Sequence, residues 1–231
     1  MGAAETDTLA LPDEKPQHRV YLDAFWIDRT EVTNPMFARC VAAGACHPRT
    51  YSPYVWGISS KTRKAYYGNP AYDNYPAIML DGDEAAAYCR WVGRRLPTEA
   101  EWEKAARGTD ARRYPWGSEN PDCSRANYLG CSNPADTTEV TAQPAGASPY
   151  GALNMAGNVW EWTADWYAAD YYVQSPERNP TGPAAGQEHT LRGGGLTTLK
   201  HDLRVTNRTG GVYHWADGEV GFRCALSVTS P

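Results

Sequence analysis

The sequence predicts a single irregular α+β domain with few helices and little regular secondary structure. Three observations predict it. Two stretches carry complete helix start and stop signals, strand-like runs lie towards both ends, and residues 109–190 are crowded with Gly, Pro, Asn and Asp in no regular period. That irregularity excludes a doubly wound sheet. At 231 residues the chain can bury one sizeable core, and neither an internal repeat nor a linker divides it, so 1–231 reads as one domain.

The elements follow in order. Residues 1–18 are polar, contain Pro12 and Pro16, and read as a loop or frayed start. VYLDAFWID, 20–28, is rich in β-formers and reads as a strand. TNPMFARCVAAG, 33–44, reads as a helix with Asn34 as cap, Pro35 in its first turn and Gly44 at its end. Residues 47–76 read as an aromatic loop punctuated by Gly and Pro. DGDEAAAYCRWVG, 81–93, has Asp81 as cap, Glu84 three residues on and Gly93 as terminator. PTEAEWEKAARG, 97–108, pairs Thr98 with Glu101 in a capping box and stops at Gly108. Its Ala100, Trp102, Ala105 and Ala106 make one packing face. Strand pattern returns in TLRGGG, 190–195, and GFRCALSV, 221–228. So long an irregular interval as 109–190 calls for something other than secondary structure, such as metal ions, to organise it.

Composition narrows the function. A net charge of −5 and the absence of a basic stripe argue against nucleic acid as partner. No apolar run approaches the roughly 18 residues of a membrane span, and no signal peptide is evident in this chain. Nine Trp and fifteen Tyr against three Phe favour polar-handled aromatics, which suit a hydrogen-bonded core or an adhesive surface. The six cysteines can all pair. Cys40 with Cys46 and Cys123 with Cys131 would close short loops, leaving Cys89 and Cys224 for a long-range bridge. The alternatives are buried free thiols in a reducing compartment and, with less support from the spacing, a zinc site. Formed disulfides would favour an extracellular or cell-surface location.

At RRLPTEAEWEKAARG, YPWG, YGALNMAGNVWEWTADWY, LRGG and GFRCA, in that order, the sequence resembles the formylglycine-generating enzyme family, also called the sulfatase-modifying factor domain. The resemblance spans nearly the whole chain. It implies an irregular C-type lectin-like fold with a small antiparallel sheet and a few helices. It places Met1-Gly2 at the end of the family's first strand, which would then lie outside this chain. It pairs Cys89 with Cys224. It also implies two structural calcium sites. The first, in NMAGNVWE, takes the side chains of Asn154 and Glu161 and the carbonyls of Gly157 and Val159. The second, in NYLGCSNPADTT, takes the side chains of Asn127 and Asp136 and the carbonyls of Tyr128 and Thr138. Calcium prefers such mixed oxygen donors; the alternative is Asx-turn chemistry without metal.

The catalytic branch of that family binds copper(I) through two cysteines after the R-G-G segment. Here no cysteine lies between Arg192 and Arg223, and Thr198 stands near the first position. A hydroxyl is no substitute for a soft thiolate, so neither copper nor formylglycine-generating activity is expected. Three readings remain. In the first, the domain is a non-catalytic ligand-binding module resembling the variable proteins of diversity-generating retroelements. Its frame would be Arg192-Gly193-Gly194, Leu203-Arg204, Arg208 and Gly221-Phe222-Arg223, and its partner a protein or other surface ligand. The binding face would be Thr197, Thr198, Leu199, His201, Asp202, Asn207, Thr209, Tyr213 and Trp215, within 197–219. In the second, it is an accessory or sensing domain of a larger bacterial protein, for instance one linked to a kinase. In the third, it is a cysteine-independent tailoring enzyme drawing acid–base groups from His201, Asp202 and His214.

Overall fold

A computed structural model describes residues 1–48, 66–133, 135–211 and 218–228. The helices among them are α1 (Asn34–Ala42), α2 (Gly82–Trp91), α3 (Glu99–Arg107) and the single turn α4 (Tyr171–Gln174). The strands are β1 (Phe25–Ile27), β2 (Trp160–Trp166), β3 (His189–Arg192), β4 (Arg208–Gly211), β5 (Val220–Gly221) and β6 (Ala225–Ser227). Four of them form one sheet in the order β4-β3-β2-β5, and β1 and β6 form a separate antiparallel ribbon. The main sheet is antiparallel except for the parallel pairing of β2 with β5, which departs from the expected all-antiparallel sheet.

Local signals account for the helices. Asp81 accepts the amide of Glu84 at 2.8 Å and starts α2. Thr98 and Glu101 cap each other's backbone at the start of α3, and Gly108 ends it with a positive φ. The α3 face of Ala100, Trp102, Ala105 and Ala106 is buried. The cap of α1 is Thr33, not Asn34. Asn34 is the first helical residue because its side chain is spent elsewhere, donating to the Tyr72 carbonyl at 2.9 Å.

The strands obey tertiary context instead. Only Phe25–Ile27 of the run 20–28 is a strand, paired with β6, and GFRCALSV divides between β5 and β6. Within the interval 109–190, read above as irregular, β2 is the longest strand among the described residues and lies inside the main sheet. Its pattern was hidden because its polar residues point inward. Glu161, Thr163 and Asp165 are buried on one face, while Trp162 is buried on the other in a core with Phe37, Tyr88, Leu191 and Phe222. Helix α3 packs on β2 and β3, with Trp102, Ala105 and Ala106 against Ala152, Met155 and Val205.

Four arginines of the frame are almost wholly inaccessible, and each meets a buried carboxylate. Arg223 grips Glu161 through two bonds of 2.7 Å. Arg208 grips Glu99 at 2.7 and 2.9 Å. Arg192 meets Glu103 at 2.7 Å, and Arg204 meets Glu14. Further guanidinium hydrogens go to backbone carbonyls: Arg192 donates to Val205, Thr206 and Asn207, and Arg223 to Asp28 and Leu153. The first eighteen residues are therefore not frayed. Glu14 is fully buried against Arg204 and Thr206, the Gly2 amide donates to Glu103 at 2.8 Å, and Arg107 donates to the Gly2 carbonyl.

Disulfides join Cys40 to Cys46, Cys123 to Cys131 and, across 135 residues, Cys89 of α2 to Cys224 beside β6. Cys89 and Cys224 are fully buried. Among the described residues no helix is long and apolar enough to cross a membrane.

Burial alone would raise the Glu103 carboxyl, but Arg192 and Arg107 overcome it and hold its pKa at about 2. A depressed folded pKa contributes stability that is present above the ordinary carboxylate value and lost as pH falls towards 2. Glu103→Gln is expected to cost about 3–5 kcal/mol at neutral pH, because it strands buried guanidinium charge. Melting as a function of pH checks this. The wild type should lose stability as pH falls from the ordinary glutamate value of 4.5 to about 2, and the variant should lose less across that window.

Candidate functional site

The expected oxygen-donor loops lie side by side. In NMAGNVWE, Asn154, Gly157 and Asn158 all adopt positive φ, which turns the peptide groups of this segment away from strand geometry. A Cβ on Gly157 would come within 2.4 Å of the Asn127 carbonyl, so only glycine lets the two loops approach this closely. The Asn158 amide donates to that same carbonyl at 2.7 Å.

Of the first donor set, Asn154 is buried, and its Nδ2 donates to Glu31 at 3.0 Å and to the Val140 carbonyl at 3.1 Å. Its Oδ1 is buried without a hydrogen-bond partner. An orphaned amide oxygen costs free energy unless something meets it, and a cation is one such partner. Glu161 is more heavily engaged: its carboxylate takes both Arg223 bonds and the indole N–H of Trp102 at 2.9 Å. Counting two lone pairs per oxygen, Oε1 keeps one for a further partner. The Gly157 carbonyl accepts the Val159 amide at 3.0 Å.

In the second set, the Asn127 side chain meets the Asp136 backbone. Asn127 Nδ2 donates to the Asp136 carbonyl at 2.8 Å and to Asn158 Oδ1 at 3.4 Å, which leaves Oδ1 as its remaining side-chain acceptor. Asp136 Oδ1 accepts the Thr137 amide at 2.8 Å. The Tyr128 carbonyl accepts the Cys131 amide, and the Thr138 carbonyl accepts from Asn158. Both sets offer hard oxygens suited to calcium rather than nitrogen or sulfur suited to zinc or copper. Among the described residues no three His, Cys, Asp or Glu side chains are grouped to hold a metal, so a cation here would rest on amide, carbonyl and single carboxylate oxygens.

Sequence reasoning missed Glu31. It is fully buried, and its two oxygens accept from Asn154 and Asn158. Burial, partly opposed by Arg223 and reinforced by Glu161, raises its pKa to about 7. The region thus holds two carboxylates against one guanidinium. Glu31 lies over a hundred residues from its asparagine partners, and no local spacing marks it.

The segment 197–209 divides into a frame and a surface. Thr197 is exposed and donates to Glu219. Leu199 and His201 are exposed, and Asp202 and Thr209 are half-buried. Thr198 and Asn207, placed above on the binding face, are instead buried parts of the frame. Thr198 Oγ1 accepts the Gly195 amide at 2.8 Å, closing the turn that Gly193 and Gly194 make at positive φ. Asn207 Nδ2 donates to the Asp202 carbonyl at 2.6 Å. Both side chains serve backbone groups that would otherwise be buried unpaired. Tyr213, His214 and Trp215 lie outside the described residues. A neighbour that the sequence did not flag is Leu129: it is exposed, and its amide donates to the Thr198 carbonyl at 3.1 Å.

His201 and Asp202 meet at 3.2 Å, with about half of the imidazole exposed to solvent. A cleft of about 660 Å³ lies elsewhere, lined by residues that include Leu22, Arg95, Glu101, Asn179 and Val228.

Residues 1–228 match the family model described as the sulfatase-modifying factor enzyme 1-like domain. The chain is 34% identical to the formylglycine-generating enzyme of Streptomyces coelicolor over 97% of this chain and 85% of that protein. It is 40% identical to the serine/threonine-protein kinase pkn1 of Chlamydia pneumoniae over 94% of this chain. The chain spans only about a third, 35%, of that kinase's length. Among solved structures, PvdO from Pseudomonas aeruginosa superposes with a TM-score of 0.81 at 27% identity, covering 99% of this chain and 90% of that one. Treponema denticola variable protein 1 superposes with a TM-score of 0.69 at 24% identity, covering 90% and 86%, which places the two in one C-type lectin-like fold.

The frame and the surface separate experimentally. Thr198→Ala and Asn207→Ala should each lower the melting free energy by about 1–3 kcal/mol, the cost of leaving a buried backbone group unsatisfied. Thr197→Ala, Leu199→Ala and His201→Ala should each stay within about 0.5 kcal/mol of wild type. Chemical denaturation of the five single variants checks both halves, and an inverted pattern would reassign the surface.

Proposed function

The chain belongs to the sulfatase-modifying factor family, and we propose that within it this domain recognises a ligand at its surface rather than oxidising a cysteine. The observation that carries the reading is the division within 192–209. Arg192, Arg204 and Arg208 are buried and paired, whereas Thr197, Leu199 and His201 between them are exposed. A rigid frame supporting changeable surface residues is the arrangement that adaptable binding loops need. Thr198, near where the resemblance puts the catalytic branch's first copper thiolate, has its hydroxyl turned inward onto the Gly195 amide. The sharper form of the proposal is a variable protein of a diversity-generating retroelement, binding a protein or other surface ligand. Thr197, Leu199, His201, Asp202 and Thr209, with Tyr213 and Trp215, would form its face.

Two experiments test it. Sequencing the gene across independent isolates should find substitutions concentrated at codons 197, 199, 201, 202 and 209 and absent at Arg192, Arg204, Arg208 and Arg223. Variation spread evenly through the domain would sink the diversification reading. Incubation with a Cys-x-Pro-x-Arg peptide, copper(I) and oxygen should leave the peptide thiol intact; aldehyde formation would overturn the non-catalytic reading.

A specific observation favours a second reading. In the chlamydial kinase the matching stretch is about a third of the protein. On that reading the domain is an accessory or sensing module, and its gene would also encode a kinase domain.

Calcium completes the proposal as a structural ion. Asn154 and Glu161, with the carbonyls of Gly157 and Val159, would hold one ion. Asn127 and Asp136, with the carbonyls of Tyr128 and Thr138, would hold the other. Support comes from the orphaned Asn154 Oδ1 and from the buried carboxylates around it. Binding to the native state alone stabilises by mass action, about 2.7 kcal/mol when free calcium is a hundred times its Kd. The melting temperature should fall in EDTA and recover with excess calcium but not with magnesium, which demands a tighter octahedron. A melt indifferent to calcium would exclude the ion.

A further inference from the structure

We infer that Glu31 is a positioning residue shared by both candidate calcium sites, setting the amide orientation of an asparagine in each loop. The inference rests on the calcium reading above. An asparagine amide has one oxygen and one NH2, so whatever fixes the NH2 fixes where the oxygen points. Glu31 Oε2 accepts from Asn154 Nδ2 at 3.0 Å, and the Val140 carbonyl takes the other hydrogen. Asn154 Oδ1 is thereby held at the opposite side, buried and without a hydrogen-bond partner.

Glu31 Oε1 accepts from Asn158 Nδ2 at 2.9 Å. That bond aims Asn158 Oδ1 at the second loop, where it accepts the Thr138 amide at 2.9 Å and Asn127 Nδ2 at 3.4 Å. With the Asp136 carbonyl taking the other Asn127 hydrogen, the Asn127 amide is oriented in turn. One buried carboxylate thus orients Asn154 directly and Asn127 through Asn158. The backbone leaves little slack in this relay, because the Asn158 amide is bonded to the Asn127 carbonyl and Gly157 touches it. Groups that orient metal ligands without touching the ion commonly govern affinity by about 10–100-fold.

Glu31→Gln tests this. Glutamine sets an NH2 against one asparagine and leaves the other a neutral oxygen in place of a carboxylate, so neither amide keeps its charged acceptor and both are held less firmly. Calorimetric titration of the calcium-stripped chain with calcium chloride is the readout, alongside the melt in EDTA. Wild type should show two binding events. Glu31→Gln should weaken both by about 10–100-fold, whereas Asn154→Ala should abolish the first alone and Asn127→Ala the second alone. Weakening of one event only, or a lower melt with both affinities intact, would overturn the shared role and leave Glu31 as internal glue. If Glu31→Gln fails to fold, Asn158→Ala cuts the relay beyond Glu31. It should weaken the second event and spare the first, and an unchanged second event overturns the inference. A wild type that binds no calcium overturns this inference together with the calcium reading, an outcome distinct from the others.

Discussion

Much of this molecule is loop, and buried guanidinium–carboxylate pairs hold the loops in place. Arg223–Glu161, Arg208–Glu99, Arg192–Glu103 and Arg204–Glu14 each join segments far apart in the chain, from 62 to 190 residues. A guanidinium suits the task because it has five donors in a fixed plane. One or two of its hydrogens satisfy a carboxylate, and others reach backbone carbonyls. Desolvating such pairs is costly, and their net contribution to stability is small compared with what removing one partner would cost. Their effect is to make one arrangement of the loops acceptable and others expensive, since any misplacement leaves a charge buried without a counterion.

The pairs also explain how one scaffold serves different ends. Arg192 and Arg208 face each other across β3 and β4, a juxtaposition of like charges made tolerable by Glu99 and Glu103 from α3. Helix α3 thus acts as a template that receives the C-terminal strands. Exposed side chains of 197–201 are not part of this packing, so their chemistry can change with little cost to the fold. Chemistry on such a fold resides in the site rather than in the architecture.

The region of the oxygen-donor loops follows the same logic with oxygens in place of guanidinium. Asn127 and Asn158 bond to each other and to nearby backbone groups, Asn154 bonds to the Val140 carbonyl, and Glu31 accepts from both Asn154 and Asn158. Positive φ at Asn154 and Asn158 is tolerated because the short amide side chain repays local strain with hydrogen bonds.

The sequence by itself determined what is local. The starts of α2 and α3 at Asp81 and Thr98 and the stop of α3 at Gly108 are legible because capping involves groups three or four residues apart. The family is legible in LNMAGNVWEW and GFRCA, and with it the C-type lectin-like fold. What tertiary structure decided is which polar residues go inside. β2 was unreadable because Glu161, Thr163 and Asp165 face inward to partners on α3, β3 and the C-terminal segment. The first eighteen residues read as frayed because nothing nearby reveals that Glu14 pairs with Arg204, 190 residues on. Thr198 and Asn207 read as surface for the same reason, since small polar residues suit both a binding face and a buried turn. A charge or amide is buried only where a distant partner meets it, and that partner is set by the fold, not by the neighbouring sequence.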